Sequence, residues 1–205
     1  MVPRIVTEVP TAPPNVLDKV DGMAATQYSP VETGDRISLD DGTGAVVRPI
    51  SSADAAALLR FHGGLSARSI QLRYFSPHKD LSPDEVAHFT QVDGEARVAL
   101  VVERARELIA VGRYERLDDH RVAEVAFVVA DAYQHQGLAT MLLHHLADAA
   151  LSAGITCFTA EVLAENRAML SVFHDAGFPV ESKTEWGTVA LTMTIAPDFG
   201  EAATG

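Results

Sequence analysis

The chain has one cysteine, Cys157, in 205 residues, so an internal disulfide is excluded. It has no run of roughly 18 apolar residues, the minimum for a helical membrane span. The first residues lack a basic stretch followed by an apolar one, so no secretory signal is expected and a cytoplasmic location is the default. Positive charge is scarce: 16 Lys and Arg against 28 Asp and Glu give a formal net charge of −12 at pH 7. That balance argues against a nucleic-acid partner and favours a cationic one. What remains, 47% apolar and 21% charged residues, is an ordinary globular composition, and the length suits one domain with tails.

Several motifs are missing too. Gly137 stands alone until Gly154, so there is no Gly-x-Gly-x-x-Gly for a dinucleotide. No Gly-Lys-Ser/Thr marks a nucleotide P-loop. His144 and His145 would point about 100° apart on a helix, and no His-Glu-x-x-His pattern surrounds them. They are read as surface residues, and no metal is expected. Cys157 lies mid-strand and reads as a buried, inert thiol rather than an acyl carrier. Tyr28, Tyr74, Tyr114 and Tyr133 are scattered, and sequence places none of them.

The most informative stretch present is Glu124 to Ala139. Val125, Phe127 and Val129 belong to an apolar, β-rich run that reads as a buried strand. A helix is expected from about Gly137 to Ala153, because Leu138, Met141, Leu142, Leu146, Ala149 and Ala150 recur at three- and four-residue spacing and Gly154 supplies a stop. A second apolar strand, Ile155 to Val162, follows, giving a βαβ unit. The turn between strand and helix is an anion site in principle, since a helix start carries unpaired N–H groups and the positive end of the dipole. Gly137 would let a phosphate approach the backbone, and Ala139 keeps the next turn thin.

Around this unit the chain divides plainly. Residues 1–34, interrupted by Pro3, Pro10, Pro13, Pro14 and Pro30, are expected to be a mobile leader, and 197–205 a disordered tail. The domain spans 35–196, entered by a hairpin over 36–50 that turns at Asp40-Asp41-Gly42. Helices are expected from Ser51 to His62, Ser66 to Phe75 and, opened by the capping box Ser82-Pro83-Asp84-Glu85, to about Gln91. Arg97–Glu103 and Leu108–Leu117 read as strands, Asn166–Ala176 as a helix, and Phe178–Ile195 as two more strands.

The Gln-x-x-Gly-x-Ala of Gln134, Gly137 and Ala139, set between a strand and an amphipathic helix, resembles the acyl-CoA pyrophosphate motif of the GNAT superfamily of N-acyltransferases. Asn166 at one helix start and Ala176-Gly177-Phe178 at its end resemble a second landmark of that superfamily, and the element order agrees from about Val46 to Ile195. Arg48-Pro49-Ile50, Arg73-Tyr74-Phe75, Ala123–Phe127 and Asn166-Arg167 look like one branch, the bacterial protein lysine acetyltransferases that modify acyl-CoA synthetases.

The resemblance implies an α/β domain whose mixed sheet of about six to seven strands splays at the acyl-CoA site, flanked by helices. It implies acetyl-CoA as co-substrate, with its arm along Phe127, Val128 and Val129. The pyrophosphate would lie on Gln134, His135, Gln136, Gly137, Leu138, Ala139 and Thr140. Asn166 and Phe173 would face the pantetheine, an amide near Val128 would polarise the thioester, and Glu124 would be the general base. Two residues depart from the family: Gln136 where Arg or Lys is common, and Phe173 where a tyrosine often protonates the leaving thiolate. The acceptor is expected to be a protein lysine, with a small amine as the alternative. A non-catalytic acyl-CoA sensor is the reading from another class. No regulatory module fits in the sequence, so a stand-alone catalytic domain is expected, with homodimer formation left open.

Overall fold

Two apolar clusters on opposite faces of one sheet organise the chain. The computed structural model describes residues 34–77 and 80–196. The leader expected over 1–34 lies outside these apart from Gly34, as do Tyr28 and the tail at 197–205. In chain order the elements are β1 (Asp35–Ser38), β2 (Gly44–Pro49), α1 (Ala55–Gly63), α2 (Ala67–Tyr74), α3 (Pro83–Thr90), β3 (Arg97–Arg104), β4 (Glu107–Arg116) and β5 (Val122–Val129). There follow α4 (Leu138–Ser152), β6 (Cys157–Leu163), α5 (Arg167–His174), β7 (Val180–Glu185) and β8 (Thr188–Thr194).

The sheet has eight strands in the order β1-β2-β3-β4-β5-β6-β8-β7 and is antiparallel except where β5 meets β6. The resemblance implied about six to seven strands. The β1–β2 hairpin accounts for the larger sheet, because Asp35–Ser38 pairs with Gly44–Val47 as an edge strand.

Strand alternation explains the two-sided core. In β3, Val98, Leu100 and Val102 face α4, whereas Ala99 and Val101 face α1 and α3. α4 buries Leu142, Leu143 and Leu146 completely against the first face. Cutting one of these to alanine would cost about 2–5 kcal/mol. α1 and α3 cover the second face with Leu58, Phe61, Val86 and Phe89. β6 and β8 differ: Phe158, Ala160, Val162, Leu191 and Met193 are buried on the α4 side, while Thr159, Glu161, Ala190 and Thr192 line an open cleft on the other.

Caps fix the helix starts. Ser82 Oγ accepts from Glu85 N–H at 3.2 Å while Ser82 N–H donates to Glu85 Oε2 at 2.8 Å, with Pro83 in the first turn, as the sequence pattern required. Arg48 ties β2 to the turn before α1: its Nη1 and Nη2 donate to Asp54 at 2.9 and 2.7 Å, and Nε and Nη2 to Glu103 at 2.9 and 2.6 Å. The Arg48-Pro49-Ile50 motif is therefore structural.

His144 and His145 are not surface residues. His145 is buried, and the half-buried His144 ring lies 5.3 Å from that of Phe178, tilted by 40°. Burial pushes both imidazoles down. The buried stripe of α4 is wide enough to include Leu142, Leu143, His145 and Leu146, so an apolar-face argument from Leu spacing alone underestimates what it covers.

Candidate functional site

β5 and β6 pair over three rungs, Val122 with Cys157, Ala123 with Phe158 and Glu124 with Thr159. Both continue, to Val129 and Leu163, and each stays paired on its outer side, β5 to β4 and β6 to β8. Beyond Glu124 the sheet therefore divides, and a cleft of about 2100 Å³ opens there. Glu124 is exposed at its apex. Its exposure leaves position, not burial, as the support for the base role that the resemblance implies.

Backbone direction decides which amides face the gap. Leu117 N–H donates to Val122 O and Ala130 N–H to Ile109 O, both at 2.9 Å on the β4 side. Thr156 N–H donates to Arg121 O at 2.9 Å from the β6 side. Peptides alternate along a strand, so the Val128 amide faces β4, and those of Phe127 and Val129 face the gap beyond the last rung. The amides available near Val128 are thus those of Phe127 and Val129. Val129 O in turn accepts from Gln134 Nε2 at 3.2 Å.

At the far end of the cleft lies the start of α4. His135 and Gly137 both take positive φ, 64° and 73°, to turn the chain into the helix. Gly137 is the N-cap and no side chain caps the first turn. A Cβ built on Gly137 would meet nothing within 4 Å, so the glycine is required by its backbone angle and leaves open space over the helix start. An anionic group fits these residues, and the pyrophosphate of acetyl-CoA is one. Glu124, Phe127, Val128, Val129, Gln134, His135, Gly137, Leu138, Ala139, Thr140, Asn166 and Phe173 all line the cleft. Gln136 is the expected site residue not among them, and its Nε2 donates back to Ala132 O at 3.4 Å.

Gln134 serves the protein rather than the cleft alone. Its Nε2 also donates to Ser69 Oγ at 3.0 Å, and Ser69 Oγ donates to Asp131 Oδ1 at 2.8 Å. Ser66 adds its N–H and Oγ to Asp131 at 2.9 and 2.6 Å. Burial pushes the Asp131 carboxyl up, but these donors outweigh it and hold it below the usual carboxylate range. The network clamps α2 to the turn that leads into α4.

Asn166 caps α5, its Oδ1 accepting from Met169 N–H at 3.2 Å. Phe173 is only 1% exposed, and its ring lies 6.0 Å from that of Phe127. It both packs the core and forms cleft wall. Cys157 is half-buried, and burial pushes its thiol up, away from nucleophilic use.

Sequence reasoning missed four contributors. Gly112 faces the Phe127 ring: a Cβ there would come within 2.9 Å of Phe127 Cδ1 and 3.2 Å of Leu142 Cβ. Tyr133 lines the cleft with its hydroxyl 2.5 Å from Arg104 Nη1. Asp131 is the clamp just described. Arg113 on β4 lies over the Phe89 ring at 3.9 Å. An isolated glycine in an apolar strand and an arginine in the run Ala110–Tyr114 were the available signals.

Residues 65–178 match the acetyltransferase (GNAT) family. An acetyltransferase from Pseudomonas aeruginosa is 32% identical over 145 residues, 69% of this chain and 78% of that protein. The acetyltransferase Pat of Mycolicibacterium smegmatis is 25% identical over 90% of this chain, which spans 56% of Pat. Among solved structures, the GNAT domain of PAT from S. lividans shares 39% identity and a TM-score of 0.73, over 78% of this chain and 96% of that one. YncA of Salmonella typhimurium, solved with acetyl-CoA, shares the fold at a TM-score of 0.62 and 18% identity, over 78% of this chain and 98% of that one. The split sheet, the open start of α4 and these likenesses agree, and the chain belongs to the GNAT family of acetyltransferases.

Proposed function

We propose that the protein transfers the acetyl group of acetyl-CoA to a primary amine, and that this amine is a protein lysine. The observation that carries the reading is the place of Glu124, an accessible carboxylate at the apex of the split sheet, three residues before the first free amide of the gap. A lysine ammonium has an ordinary pKa of about 10.4, so it arrives charged and must lose a proton before it can attack. Glu124 accepts that proton, directly or through a water. Acetyl-CoA supplies the activated acetyl carbon; the Phe127 N–H orients and polarises its carbonyl oxygen. The start of α4 holds the donor's phosphates through backbone N–H groups and the helix dipole.

The acceptor side supports a cationic partner. Ten Asp and Glu residues, Glu115, Glu124 and Glu161 among them, line the cleft against five Arg and Lys, in a chain of net charge −12. Such a field draws in a basic protein surface and raises its encounter rate. The likenesses to the Pat proteins point the same way. The test is to supply acetyl-CoA with acyl-CoA synthetases on one side and a panel of small amines on the other. Free thiol and intact mass are the readouts. Acetylated lysine on a synthetase is expected; turnover confined to small amines would replace the acceptor, and no turnover with either would remove the reading.

A further inference from the structure

Among the described residues, Arg48, Arg60, Arg68, Arg97, Arg104 and Arg116 each pair with a carboxylate within 4.0 Å. Arg113 and Arg73, both in the cleft wall, have no such ion pair among the described residues. Each instead lies over an aromatic ring, Arg113 at 3.9 Å from the Phe89 centroid and Arg73 at 5.0 Å from that of Tyr74. The nearest acid in register is already engaged: Glu115 Oε1 lies 2.5 Å from His88 Nε2, and Arg97 reaches His88 Nδ1 at 3.1 Å. Arg97 can only donate, so His88 Nδ1 accepts and Nε2–H is directed to Glu115. Burial, and then the neighbouring Arg73 charge, push the Arg113 guanidinium down to about 10, so its charge is held at a cost that no protein carboxylate within ion-pair distance offsets.

We propose that Arg113, with Arg73 beside it, forms an anion subsite in the acceptor half of the cleft, and that the acceptor presents a carboxylate there together with its amine. The register supplies the spacing. Arg113 stands opposite Ala126, two pairs along from Glu115 and Glu124 and so on the same face of the sheet. Diagonal neighbours of this kind have Cβ atoms about 7–8 Å apart. An acceptor can therefore give its ammonium to Glu124 and a carboxylate to the fork of Arg113 at once. The guanidinium carbon lies 3.9 Å from the Phe89 centroid, and its planar fork can give two parallel N–H···O bonds to one carboxylate. The carboxylate has two sources with one chemistry: an acidic residue beside the target lysine of a protein, or the carboxylate of a small amino acid. The amine half of this inference rests on the acetyl-transfer reading; the anion half does not.

The test uses two matched pairs of acceptors with the CoA-saturated full chain. One pair is a lysine peptide with Asp or Asn beside the lysine; the other is ε-aminocaproate and its amide. Calorimetric affinity and, separately, acetyl transfer are measured for wild type, Arg113→Gln, Arg113→Lys and Arg73→Gln. The carboxylate member of at least one pair should bind roughly tenfold or more tightly, the order expected of a charge-assisted hydrogen bond. A preference confined to the peptides identifies a protein acceptor, and one confined to the caproates a small amino acid. Arg113→Gln should erase the preference, Arg113→Lys restore part of it, and the affinity for acetyl-CoA should stay within a few-fold in each. Should Arg113→Gln fail to fold by its thermal melt, Arg73→Gln must shrink the preference instead. Equal binding of carboxylate and amide by wild type in both pairs, or a preference that survives the substitution, overturns the subsite. Absence of acetyl transfer to every amine would sink the acetyl-transfer reading alone, since the binding comparison still decides the subsite.

Discussion

Glu124 and Thr159 form the last rung between β5 and β6, so a carboxylate stands at the point where the sheet divides. Everything beyond that rung is cleft, and everything before it is ordinary parallel pairing. Fully paired strands on either side hold the gap open. The division is therefore a property of the sheet's own pairing.

Gly137 should be intolerant of branched side chains. At φ 73° it sits where a β-branched residue is strongly disfavoured, and its missing Cβ leaves the space above α4 open. Gly137→Val should abolish acetyl-CoA binding while the domain still melts cooperatively. Titration calorimetry checks this, and binding at wild-type strength would remove the phosphate assignment.

Asp131 should set an acid limit on the same turn. Burial pushes its carboxyl up, but the Ser66 and Ser69 donors hold it lower still. A depressed folded pKa stabilises the clamp fully above the ordinary aspartate value of about 3.9, and that contribution is lost as the pH falls through the folded value. Asp131→Asn should flatten the acid limb of a stability–pH curve in that window. It should also weaken acetyl-CoA binding severalfold at neutral pH, because α2 is no longer clamped to the turn. An unchanged acid limb would show that the clamp contributes nothing to folding.

Phe173 stands where related enzymes often carry a proton-donating tyrosine. It is buried against Phe127, so Phe173→Tyr places a hydroxyl in an apolar site at a cost of about 1–3 kcal/mol unless it reaches the cleft. A thiol has an ordinary pKa of about 8.5, so its thiolate can leave without an obligatory acid. The variant should be less stable by thermal melt, with its rate changed by less than roughly tenfold. A gain of a hundredfold would show that thiolate departure limits the natural protein.

Gly112 lets β4 pack directly against the Phe127 ring. A Cβ there enters the contact radius of the Phe127 ring and Leu142. Gly112→Ala should destabilise the domain by about 1–3 kcal/mol through overpacking, measurable by urea titration. An unchanged midpoint would mean that the ring has room to move.

The features legible in the sequence share a local cause. The Leu and Ala spacing of α4, the glycine before it, the Ser82–Glu85 box and the Asp40-Asp41-Gly42 turn are each decided within a few residues, and the structure has them at the expected places. That the sheet splays at all came only through resemblance, and its place at Glu124 came from the strand pairing, because strand separation leaves no local pattern. What the sequence concealed depends on residues brought together by the fold. Arg113 meets Phe89 across a helix and a strand, Asp131 meets Ser66 and Ser69 across half the domain, and the direction of the Val128 amide depends on which neighbour each peptide faces. His145 looked polar and superficial, yet it is buried in the wide face of α4.

The most direct measurement is acetyl transfer by Glu124→Gln, followed together with its acetyl-CoA affinity. The substitution keeps the shape of the side chain and removes the proton acceptor. Turnover should fall by roughly 10²–10⁴-fold, the usual contribution of a general base, while the acetyl-CoA dissociation constant stays within a few-fold of wild type. Wild-type turnover at neutral pH would contradict the account, because the carboxylate at the apex of the split sheet would then have no part in the reaction.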